Sequence, residues 1–111
     1  MSDVKDSNNI LGLSDPDLLR TQCLIAGEWR GSDSSACVVS NPASGELLGT
    51  VPDFGADETN QAIDAAKAAF PGWAKKTAKE RAQILRRMYE LMLEHQDDLA
   101  RILTAEQGKP L

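Results

Sequence analysis

The amino-acid sequence predicts an α/β protein with strands and turns in its first half and helices in its second half. Short apolar segments separated by turn-forming residues run through residues 21–52, which is the pattern of β-hairpins. Apolar side chains then recur every three or four positions through residues 57–107, which indicates amphipathic helices. The chain has 111 residues, of which 41% are hydrophobic and 26% charged, so its composition is that of an ordinary globular protein.

Residues 1–20 are predicted to form an arm that carries one short helix. Polar residues and the lack of a sustained period mark residues 1–13 as a loose segment. The sequence Ser-Asp-Pro-Asp at residues 14–17 predicts a helix start, because proline fits the first turn and acidic side chains interact favourably with its dipole. We expect this helix to end near Arg20.

The first of two predicted β-hairpins follows the arm. It has a strand at residues 22–26, a turn at Gly27 and Glu28, and a second short strand at residues 29–30. Residues 31–35 consist of glycine, serine and aspartate, so they predict a loop.

The second hairpin is predicted to pair residues 37–40 with residues 47–51. Its connector has the sequence Asn-Pro-Ala-Ser-Gly-Glu at residues 41–46. Pro42 fixes φ in this connector and Gly45 is expected to adopt a positive φ, a combination that is typical of hairpin turns.

The first of three predicted helices is expected to be capped by Asp57 and to end at Pro71 and Gly72. Its apolar face consists of Ala62, Ile63, Ala66, Ala69 and Phe70. Because most of these side chains are alanine, the face favours close approach to another element.

The second predicted helix starts at the capping box Thr-Ala-Lys-Glu of residues 77–80. The hydroxyl of Thr77 is expected to accept the N–H of Glu80, while the Glu80 carboxylate accepts the N–H of Thr77. The helix then carries one apolar stripe, made of Ile84, Leu85, Met88, Leu91, Met92 and His95.

The third predicted helix begins near Asp97 or Asp98. Its inward side chains are predicted to be Leu99, Ile102 and Leu103. It ends at Gly108, which can adopt the left-handed cap conformation, and Pro110 prevents its continuation.

The charge of the chain excludes one class of partner. A formal net charge of −5 argues against nonspecific nucleic-acid binding, because no broad positive field is available to replace phosphate counterions. Basic side chains do concentrate at Lys75, Lys76, Lys79, Arg81, Arg86 and Arg87. We interpret them as a solvated helix face and expect no nucleic-acid partner.

The two cysteines and the absence of targeting signals favour a reducing compartment. Apolar runs are far too short to span a bilayer, and the first twenty residues are acidic rather than basic like a transit peptide. We therefore expect a cytoplasmic protein without a membrane segment. Cys23 and Cys37 are predicted to be unpaired thiols in strands, without the basic neighbours that activate a nucleophile.

Motifs for phosphate binding are missing from the sequence. No glycine pair has the G-x-G spacing of a dinucleotide fingerprint. Gly108 and Lys109 resemble the end of a phosphate loop, but Leu103 replaces its first glycine and Pro110 its Ser/Thr.

Residues for metal or acid–base chemistry are equally sparse. His95 with Glu90, Glu94 and Asp97 could bind a divalent cation, but His95 is better interpreted as a side chain at a helix end. Glu90 and Glu94, one turn apart, are better interpreted as a solvated face than as a pair that shares a proton. A G-x-S-x-G nucleophile elbow is also missing. We therefore assign no catalytic, cofactor-binding or metal-ligating residue.

A series of short segments nevertheless resembles the amino-terminal part of aldehyde dehydrogenases, in the order expected for that family. The segments are residues 24–29, 41–46, 49–52, 55–59, 62–66, Trp73, 77–82, 97–100 and 103–111. The His-Gln-Asp-Asp-Leu-Ala sequence at residues 95–100 and the Glu-Gln-Gly-Lys-Pro-Leu ending at residues 106–111 are most similar to the succinate-semialdehyde dehydrogenase branch.

This resemblance implies NAD(P)+-dependent oxidation of an aldehyde, succinate semialdehyde to succinate in that branch, by a homo-oligomeric enzyme. It implies that residues 21–111 are hairpins and first helices of an incomplete, Rossmann-type cofactor-binding domain. The family's cysteine nucleophile, general-base glutamate, oxyanion asparagine and cofactor-binding lysine lie downstream of such a segment. Neither Cys23 nor Cys37 matches the nucleophile's context, so the chain is expected to be an inactive fragment that binds no cofactor by itself.

If the domain is incomplete, the apolar stripe of the second predicted helix loses stabilising burial. Burying its five aliphatic and thioether side chains would contribute on the order of 7–15 kcal/mol. The net stability of a whole domain is only about 5–15 kcal/mol. If the partners of the stripe are missing, we expect an exposed apolar face and a tendency to aggregate or to bind a complementary chain.

A second hypothesis is a self-standing helical module that recognises a partner through the apolar face of residues 77–95. The coding sequence beyond Leu111 separates the two hypotheses, because it holds either a continuing dehydrogenase frame or a stop.

Overall fold

The structure is a computed structural model that describes residues 9–31 and 35–111. It contains one 3-10 turn at Pro16–Leu18, two β-hairpins and three helices. The strands are β1 (Cys23–Ile25), β2 (Glu28–Arg30), β3 (Ala36–Ser40) and β4 (Leu47–Pro52). The helices are α1 (Ala56–Lys75), α2 (Ala78–Glu94) and α3 (Gln96–Gln107). This order confirms the predicted change from strands to helices.

Residues 9–13 differ from the prediction of a loose arm. The side chain of Asn9 donates to the carbonyl of Leu13 at 3.0 Å and accepts its N–H at 2.8 Å. Leu13 is only 5% exposed. A buried apolar side chain at its end therefore holds this segment in place; residues 1–8 lie outside the described residues.

The helix predicted after the arm is a single 3-10 turn. Asp15 caps it by accepting the N–H of Asp17, with proline in its first position as expected. The backbone is already extended at Leu19, so the helix is shorter than predicted.

The first hairpin is antiparallel, with Leu24 opposite Trp29. Its turn lies at Ala26 and Gly27, one residue earlier than predicted, and both residues have positive φ. Two central residues with positive φ match the twist of the flanking strands. The loop predicted at residues 31–35 includes residues 32–34, which lie outside the described residues.

The second hairpin confirms the predicted pairing of β3 with β4, with a register shift between Val39 and Ser40. Its connector is closed by the N–H of Asn41, which donates to Glu46 at 2.8 Å, and by the N–H of Gly45, which donates to Asn41 at 2.7 Å. Gly45 has a φ of 77°, as its position in the turn requires. The two hairpins form separate two-stranded sheets.

Helix α1 corrects two predictions. Gly55 is its N-cap residue and no side chain caps it, so Asp57 lies in the first turn without capping. The helix also continues through Pro71 and Gly72 to Lys75. Proline removes one hydrogen bond to the preceding turn, but this part of α1 is exposed, so water can solvate the freed carbonyl.

Helices α2 and α3 begin and end nearly as predicted. Both hydrogen bonds of the capping box are present, at 3.2 Å from the Glu80 N–H to the Thr77 hydroxyl and at 2.8 Å from the Thr77 N–H to the Glu80 carboxylate. His95 ends α2 and is at the same time the N-cap residue of α3. Gly108 ends α3 in the left-handed conformation, with a φ of 83°.

The described chain buries few apolar side chains. Leu13, Ile25 and Ala105 are the buried hydrophobic residues, whereas eighteen large hydrophobic residues are exposed. Leu99 and Leu103, predicted to face inward, are 38% and 47% exposed, because the described chain covers that side of α3 only in part. The radius of gyration is 17.1 Å, compared with about 13 Å for a compact domain of this length. The described chain therefore forms regular helices and hairpins without a core of ordinary size.

Among the described residues, no helix combines the length and apolar character that crossing a bilayer requires.

Candidate functional site

One hollow of the described chain is an apolar groove beside α2, which we call the α2 groove. It lies between the 3-10 turn, α2 and α3 and has a volume of about 390 Å³. Its lining residues are Leu18, Ile84, Arg87, Met88, Leu91, Met92, His95 and Leu99. Six of these are apolar, so the groove offers packing surface and little hydrogen bonding.

The apolar side chains of α2 extend around more of the helix than the part that lines the groove. At about 100° per residue, its apolar side chains cover roughly 200° from Leu91 round to Leu93, interrupted by Arg81 and His95. A helix at the surface of a globular protein has an apolar stripe only somewhat wider than about 100°. Met88 and Leu85 are 56% and 57% exposed. The exposed face expected from the sequence is therefore present, and it is broader than the groove.

Asp98 connects the amino-terminal segment to α3. Its carboxylate accepts the backbone N–H of Ser14 at 2.9 Å and that of Asp15 at 2.8 Å, one on each oxygen. The Asp98 residue is only 5% exposed. Two charge-assisted hydrogen bonds thus satisfy a carboxylate that would otherwise be costly to bury.

These hydrogen bonds determine the acidity of Asp98. The bond from Ser14 first, and then that from Asp15, hold the pKa of the Asp98 carboxyl below its ordinary value of 3.8, against the opposing effect of burial. Nearby His95 and Arg101 act in the same direction. The carboxylate is ionised at neutral pH and serves as an anchor, not as an acid or base.

Each hairpin comes close to a helix, the first through the side chain of Arg30 and the second through the approach of Pro42 to Gly108. Arg30 of β2 donates to the side chain of Gln61 in α1 and lies 5.8 Å from the ring of Phe54. At the other end, a Cβ at Gly108 would lie 3.1 Å from Cγ of Pro42. The second hairpin therefore approaches the end of α3 at a position where only glycine fits easily.

The candidate metal-binding residues are not brought together. Glu90 instead pairs with Arg86 at 3.3 Å and with Arg87 at 3.9 Å on exposed surface. Within residues 9–31 and 35–111, no three His, Cys, Asp or Glu side chains gather closely enough to hold a metal ion. His95 lines the α2 groove and occupies the helix junction.

Five of the six side chains of the basic cluster are exposed, as predicted, whereas Arg81 is half-buried. Side chains of Arg86 and Arg87 are 70% and 64% exposed and both contact Glu90. A carboxylate between two guanidinium groups reduces their attraction for a phosphate backbone.

The two cysteines are free and lie in different hairpins, both in strands as predicted. Cys23 is half-buried and Cys37 is exposed. Neither lines the α2 groove.

The described hollows do not fit a dinucleotide. The α2 groove is almost wholly apolar, with Arg87 and His95 as its polar lining residues. A second cleft, between residues 19–21, the second hairpin and α3, measures only about 20 Å³, enough for about one water molecule. The prediction that catalytic and cofactor-binding residues lie elsewhere stays a prediction.

Asp98 is the residue whose role the sequence did not reveal. Its place in the first turn of α3 was consistent with a favourable interaction with the helix dipole, and nothing nearby in sequence pointed to Ser14.

Comparisons with known proteins agree on one family. The profile of the Aldehyde dehydrogenase family matches residues 29–111, which is more than half of the chain. The chain is 58% identical over 100 residues to the succinate-semialdehyde dehydrogenase [NADP(+)] of Escherichia coli, covering 89% of this chain and 21% of that enzyme. It is 55% identical to a glutarate-semialdehyde dehydrogenase of Pseudomonas putida, again covering 89% and 21%.

The fold comparison gives the same result. The crystal structure of succinate-semialdehyde dehydrogenase from Burkholderia pseudomallei superimposes with a TM-score of 0.84 at 58% identity, covering 88% of this chain and 20% of that one. The chain thus spans about one fifth of the length of the relatives it matches. Hairpins, helices and sequence together establish that this chain belongs to the aldehyde dehydrogenase family.

Proposed function

We propose that this chain is the amino-terminal segment of an NAD(P)+-dependent aldehyde dehydrogenase that oxidises succinate semialdehyde to succinate. The observation that carries the proposal is the 58% identity, over 100 residues, to an E. coli enzyme named for that substrate. The comparisons give no support to the alternative of a self-standing interaction module.

The substrate class is proposed from the chemistry that the relatives' names share. Succinate-semialdehyde, glutarate-semialdehyde and 3-sulfolactaldehyde dehydrogenases all carry the name of a short aldehyde with an anionic group at its other end. We propose that the complete enzyme prefers such substrates over uncharged aliphatic aldehydes.

We propose that the 111-residue chain by itself has no enzymatic activity and binds no cofactor. Residues 1–20 would form the amino-terminal arm, and residues 21–111 the first part of the cofactor-binding domain. NADP+ is the first cofactor to test, because it is named for the E. coli relative. The complete enzyme would form a homo-oligomer without nucleic-acid or membrane partners.

A cytoplasmic location is part of the proposal. Its support is that Cys23 and Cys37 are free thiols, which a reducing compartment preserves.

A chimeric enzyme tests the proposed function. In this chimera, the present chain replaces the aligned segment of the E. coli succinate-semialdehyde dehydrogenase. We expect NADP+-dependent turnover of succinate semialdehyde with kcat/KM within about tenfold of the parent enzyme, a difference of at most about 1.4 kcal/mol in transition-state stabilisation.

Two controls accompany this assay. The 111-residue chain by itself should show no turnover and no saturable NADP+ binding. The parent enzyme without any replacement sets the reference rate. Equal kcat/KM for succinate semialdehyde and uncharged aldehydes in an active chimera would remove the substrate claim, and a folded but inactive chimera would contradict the proposal as a whole.

A further inference from the structure

We propose that residues 9–19, which we call the brace, fix the angle between α2 and α3 and detach from these helices as one unit. Asp98 fastens the brace to α3, and Leu18 holds it against α2. This conformational role goes beyond the proposed function, because it concerns the corner between two helices and requires neither substrate nor cofactor.

The corner between α2 and α3 consists of a single residue, His95. This residue ends α2 and is the N-cap residue of α3, with a φ of −104° and a ψ of 20°. Within the described chain, its side chain makes no capping hydrogen bond to α3. The direction of one helix relative to the other therefore depends on two backbone dihedral angles, which rotate freely unless other contacts hold them.

The brace consists of two short turns, each closed by its own hydrogen bonds. In the first turn, the side chain of Asn9 forms two hydrogen bonds with the backbone of Leu13. In the second, the carbonyl of Asp15 accepts the N–H of Leu18 at 3.2 Å. Turns this short are not stable in water by themselves, because each hydrogen bond restricts several dihedral angles. We therefore expect both turns to be lost together when the brace leaves the helices.

The brace is fastened between its two turns. Ser14 and Asp15 donate their backbone N–H groups to the two oxygens of Asp98. Within residues 9–31 and 35–111, these two hydrogen bonds are the ones that join the brace to the helices. Both end on one carboxylate, so a single substitution weakens the whole polar attachment.

Leu18 extends the attachment across the corner. Its side chain is half-buried and lines the α2 groove together with Leu91 of α2 and Leu99 of α3. The brace is thus bonded to α3 through Asp98 and borders α2 through Leu18. Rotation at His95 would pull Leu18 away from α2 or break the hydrogen bonds to Asp98, so the attached brace opposes that rotation.

Hydrogen exchange at single amides of the chimeric enzyme tests whether the brace detaches as one unit. The amides of Leu13 and Leu18 donate to partners inside the brace, not to Asp98. If the brace is one unit, Asp98→Asn should speed their exchange by the same factor as that of Ser14, about tenfold. Asp97→Asn is the matched control. Faster exchange confined to Ser14 and Asp15 would overturn the inference.

A second substitution tests the effect on the corner. Leu18→Ala should speed exchange of the His95 and Leu99 amides, whose hydrogen bonds to Leu91 and His95 measure 3.0 and 2.9 Å. Ile10→Ala is the matched control, because Ile10 belongs to the same brace and is 50% exposed. Equal effects of the two substitutions at the corner would overturn the inference.

Amides of α1 serve as the reference for overall stability. They lie outside the brace and the corner, so Leu18→Ala should leave their exchange unchanged. A rise in α1 as large as that at His95 would show general destabilisation and contradict a local brace.

The double variant distinguishes one unit from two separate contacts. When Asp98→Asn has already detached the brace, Leu18→Ala has little left to remove. The combined effect on the His95 and Leu99 amides should therefore be clearly smaller than the product of the two single effects. A full product would mean that the two contacts act independently, which contradicts the inference.

Failure of the inference and failure of the proposed function give different results, because hydrogen exchange requires no turnover. Shared acceleration across the brace in an inactive chimera would support the brace and contradict the function. Acceleration confined to Ser14 and Asp15 in an active chimera would support the function and contradict the brace.

Discussion

The carboxylate of Asp98 accepts the backbone N–H of Ser14 at 2.9 Å, across 84 positions of sequence. This contact joins the amino-terminal segment to the last helix of the chain. Leu13, directly before Ser14, is one of the three hydrophobic residues that are buried within residues 9–31 and 35–111. One of the few buried apolar side chains of the described chain therefore lies beside this junction.

Removing the negative charge of Asp98 should loosen the junction. In the chimeric enzyme, Asp98→Asn should speed hydrogen exchange of the Ser14 and Asp15 amides, because a neutral amide oxygen accepts less strongly and offers only one acceptor atom. Asp97→Asn is the control, since Asp97 is an exposed neighbour in the same turn. Unchanged exchange at Ser14 would show that the hydrogen bond does not hold this segment.

Acid should have the same effect as the substitution. Because hydrogen bonds lower the pKa of Asp98 in the folded state, the stabilisation is fully present above the ordinary value of 3.8. This stabilisation is lost as the pH falls through the lowered pKa that Asp98 has in the folded state. Exchange at Ser14, measured from pH 6 downward and corrected for intrinsic rates, should rise only below about pH 4 in the unsubstituted chimera. If exchange at Ser14 rose equally at low pH in the Asp98→Asn chimera, the acid effect would belong to another titrating group.

Gly108 should tolerate no side chain. Alanine at a positive φ costs about 1–2 kcal/mol, a factor of roughly 5–30 in the local opening equilibrium. Contact with Pro42 adds to this cost, since a Cβ would lie 3.1 Å from its Cγ. Gly108→Ala should therefore speed hydrogen exchange in the last turn of α3, and less so in a Pro42→Ala background.

Gly72 is the matched control for Gly108. It lies inside α1, and a Cβ there would meet nothing within 4 Å. Gly72→Ala should slow exchange in α1, because alanine favours a helix by about 0.5–1 kcal/mol over glycine. Equal effects of the two substitutions would contradict the assigned conformations.

The capping box should set the stability of the start of α2. Thr77→Ala removes the acceptor for the Glu80 N–H and should cost about 1 kcal/mol, a roughly fivefold increase in exchange at the first turn. Thr77→Ser keeps the acceptor oxygen and should restore slow exchange. A serine variant that behaves like alanine would exclude the hydroxyl as the cap.

Local signals in the sequence predicted much of the fold. The capping box of Thr77 and the left-handed cap of Gly108 depend on residues within one turn, so their patterns are readable in the chain. Continuation of α1 through Pro71 was missed, because local helix-breaking preference does not reveal that exposed surface can tolerate the lost hydrogen bond. Burial of Leu13 was missed because the contact beside it, from Ser14 to Asp98, joins segments that are distant in sequence.

The site was less predictable than the fold, because it depends on contacts between segments that are distant in sequence. The apolar stripe of α2 was visible as a period in the sequence, but its full width became apparent only when Tyr89 and Leu93 were placed on the same side of the helix. Leu99 was expected to face inward because periodicity identifies an apolar face without identifying what covers it. In this chain that face of α3 borders the α2 groove and is largely open to solvent.

The central claim is that this segment depends on the rest of a dehydrogenase for its core. Calorimetry of the 111-residue chain by itself tests this claim most directly. At a concentration where light scattering shows a monomer, the account predicts no single cooperative transition. A self-sufficient domain of this length should unfold with an enthalpy of about 60–80 kcal/mol at its melting temperature, and its calorimetric and van't Hoff enthalpies should be equal. That result from the monomeric chain would contradict the account.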